Sequence, residues 1–98
     1  GGVSGESHAI SGRITLNGVG LANVALRGFS GDEVKTDASG AYSGRVASGW
    51  TGTITPVLKG YRFTPVQRNF NAVTANQSNQ DFTARRINVS FLPLLLDQ

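Results

Sequence analysis

The sequence contains no cysteine. Disulfide frameworks, thiolate zinc sites and cysteine nucleophiles are therefore excluded. It contains no methionine either, which predicts a processed fragment or an excised piece of a longer protein. Charge is scarce: acidic and basic residues together make up 15% of the chain, against about 25% in an ordinary globular domain. The longest apolar run is FLPLLL, Phe91 to Leu96, broken by Pro93. That is far short of the roughly twenty apolar residues that span a bilayer, and no signal-peptide pattern is visible. The single histidine, His8, sits in a Gly/Ser-rich opening, GGVSGESHA, read as a linker or tag. An oriented general base for nucleophilic catalysis is thus missing.

What is present points to β-structure. The chain has 98 residues, enough for one small domain, and 13 of them are glycine. No window supports an amphipathic helix. From Ile10 to Ala84 apolar residues alternate, and turn signals recur about every ten residues, the pattern of a sandwich or barrel. Ile10, Gly12, Ile14 and Leu16 share one face of a first strand, closed by the Asn17-Gly18 turn. Val24 and Leu26, then Val34 and Thr36, form two short strands. Asp37 to Gly40, DASG, turns the chain into a strand bearing Tyr42, Gly44 and Val46. Ile54, Pro56 and Leu58 align on the next strand, and Pro56 places it at an edge or at its end. Tyr61 and Phe63 alternate after the Lys59-Gly60 turn. Val66, Arg68 and Phe70 share a phase, TANQSNQ is a polar loop, and Phe82 and Ala84 close the periodic region. The expectation is an all-β fold, a seven- to eight-stranded antiparallel Greek-key β-sandwich of immunoglobulin-like or prealbumin-like type. Its divisions are residues 1–8 as linker or tag, 9–84 as the sandwich, and 85–98 as an apolar C-terminal segment, an extra strand or a docking tail.

The net charge is +3, and seven of the nine basic residues are arginine. They are scattered along the chain, and only Arg85 and Arg86 adjoin. Nucleic-acid binders concentrate positive charge on one face, so no nucleic-acid partner is expected.

The passages SGRITLNGVGLANVALRG and VKTDASGAYSGRV resemble the carboxypeptidase regulatory-like family. That family is a transthyretin-like, or prealbumin-like, β-sandwich related to the B-type repeats of collagen adhesins. Ser11-Gly12, the stretch Gly20 to Leu26, and Thr36 to Tyr42 carry the resemblance. GWTGTITPVLKGYRFTPVQRNF is similar to passages in repeated domains of large bacterial surface and secreted proteins. The resemblance spans Ile10 to Ala84. It implies an extracellular or cell-surface accessory module without catalysis, one that spaces, stabilises or presents its neighbours. The adhesin relatives form isopeptide bonds from a lysine on the first strand. Here that strand offers Arg13, and the two lysines, Lys35 and Lys59, lie elsewhere.

Candidate sites follow from residue type. Sugar sites combine an aromatic platform with amides and charges, so Trp50 as platform with Tyr61, Arg62 and Asn71 defines a possible glycan site. The competing reading makes Trp50 a cap on the sandwich core. Asp32, Glu33 and Asp37 surround one hairpin, but the D-x-D-x-D-G loop of a calcium site is absent. Asp32 and Glu33, adjacent in a turn, diverge too far for paired-carboxylate catalysis. Asn76 and Asn88 each open an N-x-S tripeptide. Phe91, Leu92, Leu94, Leu95 and Leu96 would be an aggregation liability if exposed together. They are expected to complete the sandwich, pack on a neighbouring domain, or dock a protein partner by strand addition. No cofactor, no metal and no catalytic residue is expected. The partners expected are neighbouring domains of the parent protein, with a glycan or a protein partner as the alternative.

Overall fold

The fold was analysed in a computed structural model, which describes residues 6–29 and 33–87. All regular structure within them is β. The strands are β1 (Ser7–Leu16), β2 (Val19–Gly20), β3 (Ala25–Arg27), β4 (Val34–Lys35), β5 (Ala41–Ala47), β6 (Trp50–Val57), β7 (Tyr61–Thr64), β8 (Arg68–Val73) and β9 (Phe82–Arg86). They form two sheets. One runs β2-β1-β9-β7, with β5 also paired to β1, and the other runs β4-β3-β6-β8. Among the described residues no helix is long and apolar enough to cross a membrane.

Period-two alternation builds both inner faces. On β5, Tyr42, Gly44 and Val46 are buried, and the residues between them are exposed. Ile10 and Ile14 of β1, Ile54 and Pro56 of β6, and Phe82 and Ala84 of β9 point the same way, into the interior. The main apolar cluster joins Ile14, Val24, Leu26, Tyr42, Ile54, Phe63, Phe82 and Ala84. A smaller one, of Ile10, Val46 and Val73, lies towards the start of β1. Phe29, Trp50 and Phe70 pack against both and weld them together.

Two more strands are present than the seven read from alternation up to Ala84. β2 has only two residues and shows no period, and β7, where Tyr61 and Phe63 alternate, follows so directly on the Gly60 turn that it reads as part of it. The sheets are also not wholly antiparallel. β1 pairs with β9 in parallel, Ile14 opposite Phe82 and Leu16 opposite Ala84. Parallel neighbours need a long crossover, and here almost the whole domain supplies it.

The polar stretch before β9 does more than connect. It runs along the first half of β1 as an irregular extension of β9. Gln77 N–H donates to Ala9 O, Ser11 N–H to Gln77 O, and Gln80 N–H to Ser11 O, all within 2.9 Å. The Asn76 and Asp81 side chains accept from Ala9 N–H and Arg13 N–H, both at 2.9 Å. Side-chain carbonyl and carboxylate oxygens thus stand in for strand backbone, and the β1 edge is sealed. Gly12 lies so close to the Gln80 backbone that a Cβ there would collide with it.

Of three further expectations, two are adjusted. His8 lies within β1, opposite Val46, and not in a preceding tail, because β5 is long enough to pair back to Ser7. β6 is an internal strand, paired to β3 and β8, and it ends at Val57, one residue past Pro56, so the expected strand end and not the edge position is found. Pairing with β8 reaches only Ile54, so on that side no strand meets the missing N–H. Val66 does not share the phase of Phe70. It precedes β8 and is 71% exposed. The phase changes again inside β8: Ala72 has φ 51°, and a bulge opposite Trp50 to Gly52 brings Val73 inward.

Candidate functional site

A concavity among the described residues lies where the β7 edge meets the end of β6. It encloses about 420 Å³ and is lined by Thr55, Pro56, Tyr61, Arg62, Phe63, Thr64, Val66 and Arg85. Volumes of this size suit a small ligand. Phe63 comes from the core and Pro56 is buried, Thr55 and Thr64 contribute hydroxyls, and Arg62 and Arg85 contribute charge. The two arginines occupy directly opposed positions on β7 and β9. Beside them, the Arg86 guanidinium lies 5.9 Å from the Tyr61 ring centroid, a cation–π contact that steadies the ring.

The residues singled out for a glycan site are distributed over three places. Tyr61 and Arg62 line this hollow. Trp50 opens β6, and Thr55 lies five residues further along the strand, about 17 Å away at strand rise. The Trp50 side chain packs against both apolar clusters, its ring 6.1 Å from that of Phe70. Gly52, two residues on, leaves room for the indole, and a Cβ there would strike it. Asn71 points out from β8. Its Oδ1 accepts from Thr51 Oγ1 at 3.3 Å, and the same Thr51 oxygen accepts from Ala72 N–H at 2.9 Å. Asn71 therefore fastens the bulge. The docking residues Phe91, Leu92, Leu94, Leu95 and Leu96 lie outside the described residues, as do Asn88 and Asp32.

Several other polar groups are occupied structurally. Asp37 Oδ1 accepts from Ser39 N–H (2.9 Å), Ser39 Oγ–H (2.8 Å) and Ala41 N–H (3.0 Å). The Ser39 hydroxyl, followed by the Ala41 and Ser39 amides, holds its carboxyl below the usual range. Glu33 pairs with Lys35 at 3.9 Å, both exposed. Among the described residues no three metal-ligating side chains converge. Arg68 donates twice to Asp81 O, at 3.1 and 2.8 Å, and lies 5.5 Å from the Phe82 ring centroid, strapping β8 to the start of β9. Tyr42 O–H donates to Gln80 O at 2.5 Å, and burial pushes its phenol above the ordinary range. His8 Nε2 stands 3.2 Å from Ser48 Oγ. Among the described residues no acceptor orients its other nitrogen, so the pair lacks the third member of a catalytic relay.

Arg85 and the two threonines carry no sequence signal of a site. They come together only because β7 pairs with β9 and the end of β6 lies alongside. No family model matches the chain, and no curated protein matches it.

Proposed function

We propose that this chain is a non-catalytic accessory β-sandwich of an extracellular or cell-surface bacterial protein, working as an in-line spacer that holds its neighbours apart. In this reading it is a carboxypeptidase regulatory-like module with prealbumin-like, Greek-key connectivity. The observation that carries it is the parallel pairing of the first and last described strands. β1 starts at one pole, where Ser7 pairs with Ala47. β9 ends at the other, beyond the pairing of Leu16 with Ala84. The first described strand thus begins at one pole and the last ends at the opposite one, separated by a ten-residue strand that measures about 33 Å. A hairpin closure would return both ends to one pole and would fold tandem neighbours back on each other. The commitment of Asp37, Arg68, Tyr42, Asn71 and Asn76 to internal hydrogen bonds also suits a structural part.

The test is small-angle scattering on one, two and three copies joined directly. The maximum dimension should grow by roughly 30–40 Å per copy, one strand length plus a junction. Growth well below one strand length per copy would overturn the spacer reading.

A further inference from the structure

We propose that the hollow at the β7 edge binds an acidic saccharide, its carboxylate or sulfate held between the guanidinium groups of Arg62 and Arg85. This goes beyond the spacer reading and does not depend on it. The first support is the register. Arg62 and Arg85 are direct cross-strand partners, which places their β-carbons about 5 Å apart, and like charges so opposed are destabilising. Arg13, Arg45 and Arg68 each donate to an oxygen acceptor, and none of them faces a second arginine across its strand pair. Among the described residues, Arg62 and Arg85 have no such acceptor, and neither β7 (YRFT) nor β9 (FTARR) carries a carboxylate. An anion between them removes the repulsion and gains charge-assisted hydrogen bonds.

The second support is what surrounds the charges. Tyr61, Pro56, Phe63 and Val66 give apolar wall, and Thr55 and Thr64 give hydroxyls. A sugar ring offers the matching pair, an apolar face and a rim of hydroxyls. An acidic peptide would instead need strand addition or a broad interface. β7 has only four residues, and Tyr61 N–H already donates to Leu58 O at 3.1 Å. That edge leaves too few free backbone groups to hold a peptide strand.

The experiment is an amide-resolved NMR titration of the whole chain, paired with calorimetry. The probes are a galacturonate trimer, a sulfated galactose trimer, a neutral galactose trimer and triglutamate. An acidic trimer should shift the Thr55, Arg62, Thr64 and Arg85 amides, and the tighter of the two names the anionic group. Arg62→Gln or Arg85→Gln should weaken binding roughly tenfold to a hundredfold, the loss expected for a charged hydrogen bond. Neither should lower the melting temperature, since each removes a like-charge pair. Equal binding of the neutral trimer, tighter binding of triglutamate, shifts confined to other residues, or no binding by the folded chain would each overturn the proposal.

Discussion

Thr36 is the one buried polar side chain among the described residues. Its hydroxyl accepts from Val24 N–H at 3.0 Å and donates to Leu21 O at 2.6 Å. Its backbone bonds the same stretch, Thr36 N–H to Val24 O at 3.0 Å and Asn23 N–H to Thr36 O at 3.1 Å. One residue therefore fastens the chain just before β3 to the chain just after β4. Thr36→Val keeps the shape and removes the hydroxyl. Val24 is fully buried, so its N–H would lose its partner where water cannot replace it, at about 1–3 kcal/mol. Leu21 is only half-buried, so its carbonyl can find water and loses less. The added methyl returns less than about 1 kcal/mol. The net cost is about 2 kcal/mol, a fall in Tm of roughly 8–16 °C for a domain of this size. Thr36→Ser is the control. It keeps both hydrogen bonds and loses one methyl, about 1 kcal/mol and roughly 4–8 °C. Thermal unfolding ranks the variants, and hydrogen exchange should show the Val24 amide deprotected in Thr36→Val alone. A Thr36→Val protein as stable as Thr36→Ser would refute the reasoning.

Two further perturbations probe the turn and the packing. Asp37 has a depressed pKa in the folded state, so the stability it contributes is present above its unfolded value, near 3.8. That contribution is lost as pH falls through the folded value. Between pH 5 and pH 2 the Tm of the parent should therefore drop further than that of Asp37→Asn, and superimposable profiles would remove Asp37 from the account. Gly44 faces Phe29: a Cβ there would lie 2.6 Å from the ring Cε1. Gly44→Ala should cost about 1–3 kcal/mol through overpacking. In a Phe29→Leu background the cost should shrink, a coupling readable in a double-mutant cycle of urea midpoints.

The inner face of the sandwich was legible in the sequence because burial on a strand has a period of two. Ile10, Ile14, Tyr42, Val46, Ile54 and Phe82 all lie where alternation puts them. Legibility failed where a local event broke the period. Ala72 with its positive φ moved burial to Val73, and the two-residue β2 had no period to read. The 74–80 stretch looked like a loop because its composition is polar. It behaves as a strand edge because Gln77 and Gln80 bond β1 through their backbone and Asn76 through its side chain. The candidate site was half legible. Tyr61 and Arg62 announce themselves by residue type, whereas Arg85 joins them through a pairing between strands far apart in the chain. Trp50 drew attention as a lone tryptophan, and its position is fixed by the gap that Gly52 leaves beneath the indole.

The seal along β1 also sets a schedule for synthesis. Arg13 and Asp81, joined by a hydrogen bond, are 68 residues apart, and Ala9 and Asn76 are 67 apart. While the ribosome extends the chain, at about 5–20 residues per second, β1 can meet β5 but has nothing on its other flank. For several seconds an alternating strand with an open edge is on offer to any chain that matches it. In an array of similar modules, the 76–84 stretch of a neighbour would match it well. Sequence divergence between adjacent copies would then be favoured along this one strip, where exchange between neighbours has to be prevented.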